Sequence, residues 1–213
     1  MRVFKTFVDI DKEEAYLRAM AQKGQQLVRY TSYGVYIFRA AEPAPLNYRV
    51  DYRIFTGKEQ FEEYLTLFAD AGWEHVCGSW QSGSQYFLPR PGTVQTEDIF
   101  SDEESRAARY KRFGQFNLSF ALLCGLWALA LPVLWGYISG LPSADFHDWY
   151  LTPELWELSG LRFWRAFLLE TPFALMRVGF IPLIELVLLA LTALTGYWAC
   201  RAWWLYRQHK RQW

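Results

Sequence analysis

The order of apolar and polar positions changes character once along the chain, near residue 112. Before that point two stretches, VFKTFV at 3–8 and YRVDYRIF at 48–55, have the two-residue period of strands with one buried face. A helical period follows each of them. Phe61, Tyr64, Leu65, Phe68 and Ala69 recur at i, i+3, i+4, i+7 and i+8 and make one apolar helix face, as do Tyr16, Leu17, Met20 and Ala21 earlier. Asp9 and Thr56 stand where N-caps are wanted. Gly24 and Gly72 stand where a helix C-terminus turns left-handed. Four more runs, QQLVRYT, VYIFRA, WEHVCGS and SQYFLPR, predict strands, with turns at Tyr33-Gly34 and Ser82-Gly83.

The two halves of this region match each other. A shift of 48 residues lays positions 3–28 on 51–76 with seven identities in 26 positions: Phe7/Phe55, Glu14/Glu62, Tyr16/Tyr64, Leu17/Leu65, Ala21/Ala69, Gly24/Gly72 and Val28/Val76. Repeat 1 covers about residues 1–42 and repeat 2 about 46–90. The expected fold class is α+β, a duplicated βαββ domain with two helices on one face of an antiparallel sheet, followed by an α-helical transmembrane hairpin. A duplicated βαββ arrangement resembles the effector-binding domains of the GyrI-like group, in which two such units frame a ligand cleft. Ferredoxin-like pairing of the same elements is the alternative.

Beyond residue 112 the pattern is that of membrane helices. No charged residue stands between Arg112 and Asp145, and only Glu185 stands between Arg177 and Arg201. Spans are expected at 116–138 and 178–200. The preceding linker, 91–115, contains SDEESRAARYKRFG, where Ser101 and Glu104 have capping-box spacing and a juxtamembrane amphipathic helix is predicted. Basic residues flank the outer ends of both spans: Arg106, Arg109, Lys111 and Arg112 before the first, Arg201, Arg207, Lys210 and Arg211 after the second. This places both termini in the cytoplasm and residues 139–172 outside, with part of that aromatic loop along the outer membrane surface as an interfacial helix or a re-entrant element. Residues 201–213 read as a basic, aromatic cytoplasmic tail. Arg109, Lys111, Arg112, Arg201, Trp203, Trp204, Arg207, Lys210 and Arg211 are the expected membrane-interface anchors, with Tyr206 and Trp213 beside them.

Composition narrows the chemistry. Equal counts of Lys+Arg and Asp+Glu, 22 each, give no net field for nucleic acid. Three widely spaced cysteines form no disulfide framework and point to a reducing compartment for Cys77. The N-terminus lacks the apolar core of a signal peptide, so residues 1–90 are expected in the cytosol.

His75 and Cys77 share a strand face, as two metal ligands or a nucleophile and its base would. Their repeat equivalents are Leu27 and Arg29, which favours packed strand positions over chemistry. No phosphate loop, hydrolase elbow or paired-cysteine motif is present in the sequence, so no catalytic residue, metal or cofactor is assigned. Trp80, Tyr86, Tyr36 and Tyr48 are candidate ligand or partner contacts, with core packing as the alternative. Glu185 is an ionisable group inside a span; a polar contact with Asn117 or Ser119, an oligomer contact, a proton or signalling site, or snorkelling to the interface would account for it.

The stretches FVDIDKEEAYLRAMAQKGQQLV, YRVDYR, LFADAGWEHV, GSQYF and DIFSDEESRAARYKR resemble the bacterial family DUF2812, over about residues 2–112. The resemblance implies membrane helices after the domain and a functional link to a PadR-like transcriptional regulator. It implies no catalytic residues. The expected role is a non-enzymatic, membrane-anchored sensory or interaction module that binds a small apolar ligand or a protein partner. An accessory subunit of a transporter or other membrane complex is the alternative, with the lipid bilayer, a second copy or a membrane protein as partner; Gly125, Gly136, Gly179 and Gly196 motivate it.

Overall fold

The computed structural model describes all residues except 32–33, 93–97, 101, 140–144 and 212–213, with backbone alone for 135–139, 177, 180 and 181. The predicted capping residue Ser101, Tyr33 of the first turn and Trp213 of the tail lie outside the described residues. Two compact units are present, one formed by residues 1–117 with 198–213 and the other by 118–197.

The first unit runs β1 (Arg2–Phe4), α1 (Ile10–Gln22), β2 (Gln25–Thr31), β3 (Val35–Ala40), β4 (Arg49–Tyr52), α2 (Lys58–Asp70), β5 (Trp73–Cys77) and β6 (Ser84–Pro89). The strands make two antiparallel three-stranded sheets, ordered β1-β3-β2 and β4-β6-β5, rather than the one sheet expected. The reason lies in the strands that would have to join them. Each carries a register shift, between Leu27 and Arg29 in β2 and between His75 and Cys77 in β5. Such bulges twist an edge and interrupt its ladder. The two strands still lie beside each other, and the Tyr30 backbone N–H donates to the Cys77 thiol.

Local chemistry sets the helix ends. The Asp9 carboxylate caps α1 by accepting from the Lys12 N–H at 3.3 Å. The cap of α2 is Gly57, without a side-chain bond, because the Thr56 hydroxyl turns instead to Gln60 Oε1 at 2.9 Å. Gly24 and Gly72 follow the two helices with φ of +73° and +85°, a conformation other residues adopt at a cost.

One core joins Leu17, Met20 and Ala21 of α1 to Leu27, Tyr36 and Phe38 of the first sheet and to Val50, Tyr52 and Tyr86 of the second. A smaller one gathers Phe55, Tyr64, Trp73 and Phe87.

Helix α3 (Glu103–Ser139) carries the predicted juxtamembrane segment straight into the first apolar stretch without a break. Helix α5 (Ile181–Arg211) likewise continues through what read as a tail. Residues 201–211 are therefore helix, and Ala202 and Leu205 are buried, Leu205 within the main core. Two helices are long and apolar enough to cross a membrane, Glu103–Leu134 and Pro182–Arg211. Only 22% and 11% of their apolar windows are buried, unlike the core helix of a soluble protein.

In the second unit, α4 (Gly160–Leu175) is joined to α5 by the π-helical segment Met176–Phe180. Its inner face packs Phe163, Ala166, Phe167 and Ala174 with Tyr150, just after the 3-10 turn Phe146–Trp149, and Leu155 of the turn Leu155–Glu157. The Glu170 carboxylate accepts from the N–H groups of Leu151 and Thr152 and from the Thr152 hydroxyl.

Candidate functional site

The most densely organised polar region lies where α1, β4 and the bases of α3 and α5 meet. Four acids on the first turns of α1 supply it: Asp9, Asp11, Glu13 and Glu14. On α3 the spacing Arg106, Arg109, Arg112 is i, i+3, i+6, which turns the three guanidinium groups toward one side.

Arg109 is the hub. Its side chain is 1% exposed and bridges Glu14 Oε1 at 2.7 Å, Asp11 Oδ1 at 2.5 Å and the Val50 carbonyl at 2.9 Å. Glu14 also takes the Val50 N–H at 3.0 Å and Arg49 Nη1 at 3.1 Å. Arg106 Nη2 reaches Asp11 at 3.1 Å. Arg112 donates to Asp51 at 2.5 Å and to the Tyr52 carbonyl at 2.6 Å, and the Tyr64 hydroxyl donates to the other Asp51 oxygen at 2.9 Å. From α5, His209 Nε2 lies 3.2 Å from Asp11 Oδ2, its ring stacked on Tyr110 at 5.2 Å. Burial works to raise the Asp11 carboxyl, but Arg109 and Arg106 outweigh it and hold the group below the usual carboxylate range.

Beside this network sits a carboxyl of the opposite kind. Glu13 is fully enclosed, and its Oε1 accepts the Tyr36 hydroxyl from β3 and the Tyr86 hydroxyl from β6, each at 2.6 Å. Tyr30 lies against both phenol rings, at 4.9 and 5.2 Å. Among the described residues no cation bonds to Glu13. Burial dominates and raises its pKa to about 7, against the pull of the two hydroxyls.

The residues singled out in the sequence fall as follows. Tyr36 and Tyr86 are core residues whose hydroxyls serve Glu13, and neither presents its ring at the surface. Tyr48 is buried too and accepts the Leu27 N–H at 3.1 Å, yet it borders an open pocket of about 360 Å³ beside β2 and β5, where Val28, Leu46 and Val76 are joined by the polar side chains of Gln26, Arg39, Glu74 and His75. Trp80 is half-buried against the smaller core. His75 Nε2 meets Gln85 Oε1 at 3.1 Å, and burial lowers its pKa. Burial pushes the Cys77 thiol up to about 12, so it has negligible thiolate character at neutral pH.

Among the expected anchors, Arg109 is enclosed by the domain and Arg112 is half-enclosed; desolvating a guanidinium demands carboxylate partners, and α1 and β4 provide them. Lys111, Trp204, Arg207, Lys210 and Arg211 are exposed. Arg201 lies over the Trp204 ring at 4.1 Å and Trp203 is half-buried. Asn117 turns its amide back to the Phe113 carbonyl at 2.8 Å. Glu185 is half-buried, with no hydrogen bond or ion pair among the described residues.

Asp11, Glu13, Asp51, Tyr110 and His209 were not singled out from the sequence, where Asp9 and Glu14 stood only as a helix cap and a repeat identity. Their signal was present in part: Glu13 and Glu14 sit within a buried helix face, four and three residues before Leu17, and Asp11 and Glu14 share the i, i+3 spacing of Arg106 and Arg109.

The sequence model of the family described as "Protein of unknown function (DUF2812)" matches residues 9–123, more than half of the chain. The chain belongs to the DUF2812 family. No curated protein and no solved structure matches it. The DUF2812 match spans every acid and arginine of the buried network and ends inside α3, while His209 and the core residue Leu205 of α5 lie beyond it.

Proposed function

We propose that this DUF2812 protein is a non-enzymatic, membrane-anchored regulatory module. Its α+β domain sits in the cytosol and takes a small apolar ligand or a protein partner. Helices α3 and α5 cross the membrane as a hairpin with both chain ends cytoplasmic. One observation carries the reading: the cytosolic bases of both apolar helices are built into the domain, α3 through Arg106, Arg109 and Arg112, α5 through Leu205 and His209. A change of domain packing must therefore be felt at the roots of both helices. The exposed Lys111, Arg207, Lys210 and Arg211 support the orientation. The two βαββ halves are read as a duplication; equal strand order and register shifts next to the repeat-equivalent Val28 and Val76 support this. The open pocket beside Tyr48 and Val76 is the proposed ligand space, its apolar floor rimmed by Arg39 and Glu74.

Single cysteines introduced at Lys23 and Leu158, in a variant without native cysteines, test the placement. A membrane-impermeant maleimide on intact cells should label position 158 and leave position 23 unmodified until the membrane is permeabilised; the reverse pattern refutes the orientation. A thermal-shift screen of apolar compounds against the full chain in nanodiscs should yield hits lost in Val76→Phe, which fills the pocket. The lack of any stabilising compound would leave only the protein-partner form of the proposal.

A second reading, an accessory subunit of a membrane complex, is favoured by Glu185, which has no partner among the described residues. It requires Glu185→Leu to lose function while the isolated chain stays folded.

A further inference from the structure

The outer face of α4 is an apolar surface with no described residue packed against it. Leu161, Trp164, Leu168 and Leu175 follow one line along the helix at i, i+3, i+7 and i+14, flanked by Leu169 and Phe173, and all are more than half exposed. Leu161 and Leu169 reach 76% and 74%. The inner face is occupied by the aromatic core around Tyr150, Leu155, Phe163 and Phe167, so the outer residues cannot turn inward. A soluble surface does not leave so large a contiguous apolar patch uncovered.

Chain length says what covers it. From Ile181 to Cys200, α5 rises about 30 Å, enough to fill the hydrocarbon layer by itself. Helix α4 therefore begins beyond that layer. Continued along the axis of α5, its 16 residues would project about 24 Å into water with the apolar face bare. The helix is interrupted at this junction: Met176–Phe180 is π-helical, and Pro172 removes a backbone donor just before it. Arg162 and Arg165, exposed near the start of α4, have stems long enough to reach phosphates from an apolar bed.

We propose that α4 is a monotopic helix that lies flat in the outer headgroup–acyl boundary, with Leu161, Trp164, Leu168, Leu169 and Phe173 submerged and the aromatic core above. The bilayer is its partner, and the π-helical segment is the bend that allows it. This rests on the membrane reading above, and the experiment separates the two.

Spin labels at Leu161→Cys, Trp164→Cys, Leu168→Cys and Phe173→Cys, each in the full chain lacking its native cysteines, are compared with Leu189→Cys in α5. The chain is reconstituted in phosphatidylcholine–phosphatidylglycerol vesicles, and collisions with oxygen and with a water-soluble nickel chelate are measured. The four α4 labels are expected to favour oxygen and report one shared shallow depth, with position 189 clearly deeper. Water-like accessibility at all four α4 positions with a deep position 189 overturns the proposal and leaves the hairpin standing. A depth that increases steadily from 161 to 173 also overturns it, since α4 would then simply extend the span. Spin–spin broadening at the α4 sites, absent on dilution with unlabelled chain, would assign the face to a second copy instead. Water-like accessibility at position 189 would defeat the membrane reading itself.

Discussion

Replacing Glu13 by Gln should change how stability depends on pH more than it changes stability at any single acidic pH. In the folded chain this carboxyl is enclosed, receives two phenol hydroxyls at 2.6 Å and titrates at about 7, against 4.5 when unfolded. The groups that face it are Tyr36 of β3, Tyr86 of β6, Tyr30 of β2, Cys77 of β5, its neighbour Glu14, and Arg109 of α3, which is itself bound to Glu14 and Asp11. A raised carboxyl pKa means that the folded state holds its proton more tightly than the unfolded one. The associated stability is complete below pH 4.5, falls as pH rises and is lost by about pH 7, above which the dependence flattens. A difference of about 2.5 units corresponds to about 3 kcal/mol. Gln accepts the same two hydroxyl bonds and does not titrate, although its amide adds donors that need partners, at about 1 to 3 kcal/mol if they find none. Thermal unfolding of the full chain in detergent, followed by near-ultraviolet circular dichroism from pH 4.5 to 8, measures both curves. Their difference should shift in favour of the variant by about 3 kcal/mol between pH 4.5 and 7.5. Parallel curves over that window would refute the reasoning, because they would mean that the two hydroxyls fully offset desolvation.

Arg109→Met removes the cation shared by the buried Glu14 and the half-buried Asp11 and should cost about 3 to 5 kcal/mol in the same melts; Arg109→Lys should recover only part, since an ammonium cannot fork between two carboxylates. Leu205→Ala should cost about 2 to 5 kcal/mol, whereas Arg211→Ala, on the exposed side of the same helix end, should stay within about 0.5 kcal/mol. Equal effects at 205 and 211 would return residues 201–211 to the status of a tail. Gly24→Ala should destabilise by at least about 1 kcal/mol, because φ is +73° and a Cβ would stand 2.7 Å from the Ala41 carbonyl. Gly57→Ser, at an extended and open N-cap without a side-chain bond, should gain a few tenths of a kcal/mol.

Local pattern was a good guide to elements. QQLVRYT and VYIFRA coincide with β2 and β3, the Asp9 cap holds, and both predicted helix-ending glycines adopt positive φ. These depend on a few neighbouring residues, whose periodicity and backbone preferences are written in the chain. It was a poorer guide where one residue had two local options: Thr56 bonds Gln60 and leaves the cap to Gly57.

The candidate site was legible only in fragments. Basic residues before an apolar span have the composition of a headgroup anchor, and Lys111 keeps that exposure. Arg109 has the same composition but meets Glu14, 95 positions earlier. Tyr36 and Tyr86 read as aromatic strand positions; their convergence on one oxygen of Glu13 joins residues 23 and 73 positions apart.

The sequence by itself determined the alternation of strands and helices, the family and the two long apolar helices, since each is a property of contiguous residues. Tertiary structure decided the rest. Bulges in β2 and β5 divide the strands into two sheets, the end of α5 belongs to the domain, and α1 and β4 receive the arginines of α3. Which buried charge finds which partner is set by distances across the fold, and the cost of leaving either one alone is what holds those distances in place.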